Sequence, residues 1–310
     1  MIPPRFDYVA PTALDEAIAA VADGGEDAKI LSGGQSLLPL LKMRLAAPRL
    51  LVDINRVPGL DHLHESDGAL RIGALVREAE LERSEFIRTR YPLLADAAAV
   101  VADPLVRNLA TVCGNLAHAD PANDHPAAML ALEATVAARG PAGEREIPVT
   151  SFFTGLFATA LAPDEVLTEI RVPIPQPRSG GAYLKLERKV GDFATAAVAV
   201  QVTLGEDGVC RRGGIGLTNV GMVPIKARTA EEYLLGRELT EDVVREAAKR
   251  AASEARPASD HRGSEAYKRD LVRVLTMRAL RLARQRAEGR APTGSVERSA
   301  DHRSAGGAES

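Results

Sequence analysis

Two short segments hold residue types that could cradle an anion. The first, Ser32-Gly33-Gly34-Gln35-Ser36, follows the strand-like Lys29-Ile30-Leu31 and runs into Leu37. Successive small residues let backbone N–H groups turn towards a bulky anion, and Ser and Gln side chains add neutral donors. The second, Thr111-Val112-Cys113-Gly114-Asn115, is again small and donor-rich. Taken singly, the first reads as a plain tight turn and the second as a surface loop or helix entry. Neither is a familiar nucleotide fingerprint. No Gly-Lys dipeptide occurs, and Gly214-Ile215-Gly216-Leu217-Thr218-Asn219 lacks the third glycine of a dinucleotide turn. A dinucleotide bound here would use a non-Rossmann route.

Other candidate chemistry is weaker. His118, Asp120, Asp124 and His125 place two imidazoles and two carboxylates within eight positions. The two histidines lack the i, i+4 spacing of a helical metal pair, and Pro121 and Pro126 break regular structure. No metal is expected; Asp124 is expected to cap a helix or bond a ligand hydroxyl. No Gly-x-Ser-x-Gly elbow exists for nucleophilic hydrolysis. Lys185, Arg188 and Lys189 read as a solvated basic face, and Asp192-Phe193-Ala194-Thr195 as a turn into a core strand. Cys113 and Cys210, 97 positions apart, are too few to ligate an iron–sulfur cluster.

The elements that must position these residues form two or three domains in 310 residues. A balance of 39 Lys+Arg against 42 Asp+Glu leaves no positive excess for nucleic acid, and 4% aromatics without Trp offer no stacking platform. The longest apolar runs fall far short of the ~20 residues that span a bilayer, so no transmembrane segment is expected. Met1-Ile2-Pro3-Pro4-Arg5-Phe6-Asp7 lacks the apolar core of a signal peptide, which points to the cytoplasm.

Thr12, with Asp15 in the capping-box position, is expected to open a helix whose Leu14, Ala17, Ile18 and Val21 share a face. Strands at 29–31 and 50–54 flank the first loop. A strand at 70–76, a helix at 92–102, an irregular segment at 107–124 and strands at 135–138 and 166–172 follow. The Pro-rich run from Pro173 to Gly181 cannot sit inside a helix or central strand and marks a domain boundary. Beyond it come three strands (183–188, 195–204, 209–220), a helix capped by Thr240 and another through Val272, Leu275, Ala279 and Leu282. Residues 287–310 contain no Leu, Ile, Met or aromatic residue and read as a disordered tail.

In this order and spacing the two loops form a pattern. Ser32 to Pro39 and Arg107 to Asn115 resemble the paired FAD loops of the molybdenum-hydroxylase flavoprotein family, the medium subunits of xanthine-dehydrogenase-like enzymes. Within that family the medium subunits of aerobic carbon monoxide dehydrogenases are most similar. His118-Ala-Asp120-Pro-Ala-Asn-Asp124, Lys185-Leu-Glu-Arg-Lys189-Val-Gly-Asp192-Phe193-Ala-Thr195 and Gly216-Leu-Thr-Asn-Val220 fit as well. The likeness runs from Ile2 to about Arg286.

The resemblance implies an α+β fold. A two-subdomain FAD-binding domain of the vanillyl-alcohol-oxidase type would span 1–177, with subdomains at about 1–56 and 57–177. A C-terminal domain at 178–286, with a three-stranded antiparallel sheet and helices, would follow. It assigns Leu31, Ser32, Gly33, Gly34, Gln35, Ser36 and Leu37 with Thr111, Val112, Cys113, Gly114 and Asn115 to FAD, the pyrophosphate lying on backbone N–H groups. Asp124, Leu167 and Lys185 align with further contacts, and Phe193 with a residue beside the isoalloxazine ring. Cys113 replaces the first glycine of the family's Gly-Gly-Asn. A left-handed φ there would cost a cysteine about 1 kcal/mol or more, so a tolerated small, buried thiol is expected.

No catalytic residue is implied on this chain. FAD would take electrons from a molybdenum cofactor through two [2Fe-2S] clusters carried by partners, a small iron–sulfur subunit and a large molybdenum subunit. The implied assembly is a dimer of heterotrimers, set against the inner face of the membrane. Carbon monoxide is the first substrate expected, with a quinone or other external acceptor. An aldehyde or N-heterocycle hydroxylase, a self-contained flavin oxidase and a non-catalytic assembly subunit with a degenerate FAD fold are the alternatives.

Overall fold

The computed structural model describes residues 2–290. Three short parallel strands come first: β1 (Asp7–Val9), β2 (Ala28–Leu31) and β3 (Leu50–Asp53), with β3 in the middle. Between β1 and β2 runs α1 (Leu14–Gly24), which buries Ala17, Ile18 and Val21 as its spacing requires. Thr12 does not cap this helix. Ala13 occupies the N-cap without a side-chain bond, and Glu16 reaches back to accept the Thr12 N–H at 3.2 Å. Asp15 instead bonds Arg139. The first loop leaves the carboxyl end of β2, where parallel sheets open for ligands, and enters α2 (Leu37–Lys42).

A five-stranded antiparallel sheet follows. It contains β4 (Leu63–Ser66), β5 (Ala69–Gly73), β6 (Thr135–Gly140), β7 (Gly143–Pro148) and, past the hairpin of β8 (Phe153–Gly155) and β9 (Ala158–Thr159), β10 (Val166–Pro173). Its order is β4-β5-β10-β6-β7. Between β5 and β6 the chain makes α3 (Glu78–Arg83), α4 (Glu85–Arg90), α5 (Pro92–Ala99), α6 (Pro104–Arg107), α7 (Val112–His118) and α8 (His125–Ala131); α9 (Val149–Phe152) follows β7. The helix expected to reach Ala102 stops at Ala99, because Ala102 turns left-handed and Arg107 takes the Val101 and Ala102 carbonyls.

The third sheet holds β11 (Ser179–Leu186), β12 (Ala196–Leu204), β13 (Cys210–Thr218) and β14 (Ile225–Lys226) in sequence order. It differs from the expected sheet in two ways. A two-residue fourth strand extends its edge, too short to leave a periodic signal. And β11 starts four residues earlier than the sequence suggests, taking Gly180 and Gly181 into an edge strand. Those glycines lie where α12 (Glu265–Ala287) and α5 press on its two faces. α10 (Arg228–Leu234) and α11 (Glu241–Glu254) complete the α-helices among the described residues, α11 capped by Thr240 as expected. Ala287, assigned to the tail by its composition, closes α12 and is buried; residues 291–310 lie outside the described residues.

Period-two alternation on β12 joins the molecule's two cores. Ala197 and Ala199 face the core of the first two sheets, while Ala196, Val198 and Val200 face the core beneath α11 and α12. On β13, Gly214 and Gly216 let the backbone of α8 lie directly on the sheet: an added Cβ at Gly216 would stand 2.0 Å from the Ala127 carbonyl oxygen. Gly216→Ala is therefore expected to lower stability by about 1–3 kcal/mol, read as a drop in urea midpoint.

Candidate cofactor site

Leu31, Ser32, Gly33, Gly34, Gln35, Ser36 and Leu37 line one groove with Thr111, Cys113, Gly114, Asn115 and Leu167; its volume is about 680 Å³. The two loops, 79 positions apart in the chain, touch through atoms that have no room to spare. A Cβ on Gly33 would meet the Leu109 carbonyl oxygen at 2.4 Å and the Thr111 nitrogen at 2.9 Å. Gly34 adopts φ +72°, which L side chains disfavour. A Cβ on Gly114 would meet Thr111 Oγ1 at 2.6 Å and Ser32 Oγ at 3.2 Å. Ser32 Oγ and Thr111 Oγ1 share a 3.0 Å hydrogen bond across the seam.

The second loop is not irregular. Thr111 caps α7, its Oγ1 accepting the Gly114 N–H at 3.2 Å, and Val112 and Leu116 are fully buried beneath. Burial overrides the poor helix propensity of Val-Cys-Gly-Asn. Cys113 lies within this right-handed helix, so a side chain costs no left-handed strain. Its thiol is buried 3.4 and 3.5 Å from the Ile72 and Gly73 carbonyl oxygens. Burial, with Glu169 and Glu78 nearby, pushes the thiol well above its ordinary range, which makes it a poor thiolate.

Charge in the groove is sparse: Lys29 and His118 against Glu26 and Glu165, with no arginine in the lining. His118 stands 5.2 Å from the Phe157 ring, and burial, opposed by Asp120, lowers its pKa. Asn115 Oδ1 is buried with no hydrogen-bond partner among the described residues. Three tight glycines, two hydroxyls and an orphaned acceptor make a cradle for a group with both phosphate oxygens and polar hydrogens. A dinucleotide such as FAD fits that donor and acceptor set.

Four expected contacts stand outside the lining. Val112 points into the core. Asp124 does not cap α8; its carboxylate accepts the Tyr183 hydroxyl at 2.7 Å and Lys185 Nζ at 3.1 Å. Burial pushes the Asp124 carboxyl up, against the pull of Lys185 and Tyr183. The Lys185 side chain is 2% exposed and also bonds the Val100 carbonyl, so of the expected solvated basic face only Arg188 and Lys189 are exposed. Phe193 is 49% exposed on the loop after β11, beside Asp192, which Arg262 and Arg188 hold well below the usual carboxylate range.

The His-Asp segment is dispersed. His118 lines the groove, Asp124 faces β11, and His125 bonds Glu78 at 2.6 Å, both side chains with no exposure. Among the described residues no three His, Cys, Asp or Glu side chains gather as a metal site. Burial alone would lower the His125 pKa; Glu78, with Asp124, outweighs it and raises it. Sequence reading missed Glu78, Asn55 and Arg77, the last two of which tie the loops together from behind. Asn55 carries a faint signal, following β3 at the strand end where the first loop opens. Arg77 carries none.

With the folded-state pKa of His125 raised, its stabilising contribution is complete below about pH 6.5 and is lost as pH rises through the folded value. Glu78→Gln removes the main cause. Urea unfolding from pH 5 to 9 is expected to show a wild-type minus variant difference that shrinks with rising pH, at no more than about 1.4 kcal/mol per pH unit.

Residues 4–175 match the family described as the FAD binding domain in molybdopterin dehydrogenase, and residues 181–283 match the CO dehydrogenase flavoprotein C-terminal domain. The carbon monoxide dehydrogenase medium chain of Hydrogenophaga pseudoflava is 43% identical over 290 residues, covering 91% of this chain and 98% of that one. Subunit alpha of the 6-hydroxypseudooxynicotine dehydrogenase complex of Paenarthrobacter nicotinovorans is 41% identical, covering 93% and 97%. A chain of reconstituted CO dehydrogenase from Oligotropha carboxidovorans superposes with a TM-score of 0.90 at 39% identity, covering 92% and 100%. Sequence, fold and groove agree: this chain belongs to the molybdopterin-dehydrogenase FAD-binding family, as an oxidoreductase flavoprotein subunit of the medium-chain type.

Proposed function

We propose that the groove between the two loops holds FAD and that the chain serves as the electron-delivering station of a molybdenum-containing dehydrogenase complex. The observation that carries this is the seam at Gly33 and Gly114, where two small-residue loops meet without room for a methyl group. Backbone N–H groups of Ser32 to Ser36 take the pyrophosphate, with Gly114 letting the second loop close on it, which suits a lining without arginine. Leu31, Leu37 and Leu167 supply apolar wall, and Asn115 Oδ1 accepts a ligand hydroxyl or N–H. Asp124 and Lys185 support the same helix end: the neighbouring Asn123 donates to the Asn115 carbonyl at 2.7 Å. Phe193, exposed on the loop after β11, belongs beside the ring system. When bound, FAD supplies the redox chemistry, accepting electrons singly and passing two to an acceptor.

Two buried cysteines are too few to ligate an iron–sulfur cluster, so in this reading the electrons come from a partner subunit. A small iron–sulfur subunit with two [2Fe-2S] clusters, fed by a large molybdenum subunit in a dimer of heterotrimers, supplies them in the cytoplasm; a quinone is the acceptor. No described helix is long and apolar enough to cross a membrane. The likeness to carbon monoxide dehydrogenase chains favours CO as substrate. The similarly close likeness to a 6-hydroxypseudooxynicotine dehydrogenase subunit supports a second reading, an N-heterocycle or aldehyde hydroxylase, with specificity residing on the molybdenum subunit. The unstrained Cys113 argues against a degenerate assembly subunit. We place the domain divisions near residues 56 and 177, between the three sheets.

Purification through a tag on this chain is expected to yield flavin and [2Fe-2S] absorption with one small and one large companion chain. Bleaching by CO, or instead by an N-heterocycle or aldehyde, names the substrate. Gly33→Ala and Gly114→Ala are expected to cut FAD occupancy about tenfold or more, the equivalent of a 1–3 kcal/mol steric cost. A solitary chain that stays colourless when given FAD overturns the reading.

A further inference from the structure

The two loops are held at their spacing by a strap that lies behind the groove and outside its lining. Arg77 stands between β5 and α3, and its backbone is bridged to Thr111. On either side, the Glu78 N–H bonds the Ala110 carbonyl at 2.9 Å and the Val112 N–H bonds the Val76 carbonyl at 3.1 Å. The guanidinium then spans both loops. Nη1 donates to the Leu109 carbonyl at 2.5 Å, the oxygen against which Gly33 packs, and Nη2 donates to Asn55 Oδ1 at 2.6 Å. Asn55 Nδ2 in turn donates to the Ser32 carbonyl at 2.8 Å. Asn55 is itself fixed: its backbone N–H bonds Asp53 Oδ1 at 2.8 Å, while Asp53 Oδ2 accepts the Tyr8 hydroxyl at 2.6 Å.

We propose that Arg77, acting through Asn55, is a positioning residue for the cofactor diphosphate, setting the distance between the two loops that must close on it at once. This rests on the FAD reading above. The physical case is geometric. A diphosphate enclosed between two loops gains from both only if the loops are already at bridging distance; otherwise binding carries the cost of ordering them. The loops share a single direct side-chain hydrogen bond, Ser32 to Thr111, besides the Gly33 contact. A planar guanidinium presents donors on a rigid fork that can hold two acceptors at once, which a lysine ammonium on its flexible stem does not reproduce. Both acceptors here are neutral oxygens belonging to, or linked to, opposite loops. That is what a spacer requires, and neither bond consumes an N–H that would face the phosphates.

The test compares FAD, ADP and adenosine on the full-length chain by calorimetry. ADP carries the diphosphate and adenosine does not, so their affinity ratio reports the spacing of the paired loops, whereas general destabilisation weakens both ligands alike. The wild type is expected to prefer ADP and to bind FAD. Arg77→Met, Arg77→Lys and Asn55→Ala are each expected to lower the ADP-to-adenosine ratio about tenfold, the scale of lost charge-assisted hydrogen bonds, with adenosine affinity unchanged. The Arg77→Met/Asn55→Ala double variant is expected to lose little more than either single one, as members of one strap do. Lysine at position 77 failing to rescue is the signature of spacing over charge. If Arg77→Met fails to fold by urea unfolding, Arg77→Lys and Asn55→Ala decide. Wild-type binding of FAD with unchanged ratios in the variants, or full rescue by lysine, overturns the strap alone. Failure of the wild type to bind FAD or ADP removes the FAD reading and the strap with it.

Discussion

The contact of Gly33 with the Leu109–Thr111 backbone is the constraint around which the first two sheets are arranged. The parallel sheet delivers Gly33 at the carboxyl end of β2, and the antiparallel sheet delivers Thr111 through the β5–α3 junction. A methyl group at Gly33 would stand 2.4 Å from a carbonyl oxygen, so the loops cannot sit side by side in this way with any larger residue. The same requirement explains the composition of the second loop. Gly114 must clear both Thr111 and Ser32, whereas Cys113, one residue earlier, points away into the core and tolerates a thiol. The family's second glycine is therefore the sterically required one in this chain.

Behind the seam the molecule relies on buried charge. Asp96 and Arg286 pair at 2.6 Å with side chains 2% and 1% exposed, joining α5 to the last turn of α12. Asp124 gathers Tyr183 and Lys185 from β11, and Glu78 holds His125 at the head of α8. Each pair joins elements distant in sequence. Such pairs contribute little net stability, since desolvation offsets attraction, but removing one partner strands a charge at a cost of several kcal/mol. Their effect is to fix which surfaces meet: α5 and α8 against one face of the third sheet, α12 against the other.

This arrangement gives a division of labour. The third sheet contributes no residue to the groove lining, yet it presses on α8 through Gly214 and Gly216, and through Asn219, whose N–H bonds the Pro121 carbonyl, it steadies the turn after α7. The C-terminal half thus acts on the cofactor site through the backbone of the first half. Loop 187–195, with Phe193 exposed and Asp192 clamped by Arg262, is where it reaches beyond that supporting role.

The sequence by itself determined the loops and most strands, because glycine pairs, β-branched runs and short donor-rich segments are local signals whose physics does not depend on the rest of the chain; the family was legible only through the resemblance of the two loops in their order and spacing. It determined α1's buried face and the Thr240 cap for the same reason. It did not determine that Val112–His118 is helical, since burial rather than propensity stabilises that turn, nor that α12 runs through Ala287, whose small side chain is buried by the sheet it meets. Lys185 read as solvated because nothing near it in sequence shows that Asp124, 61 positions earlier, lies at 3.1 Å. Glu78, Asn55 and Arg77 look like ordinary surface residues in a linear chain. Their roles exist only between elements, and tertiary structure alone decides them, because hydrogen-bond geometry across a fold leaves no periodicity in sequence.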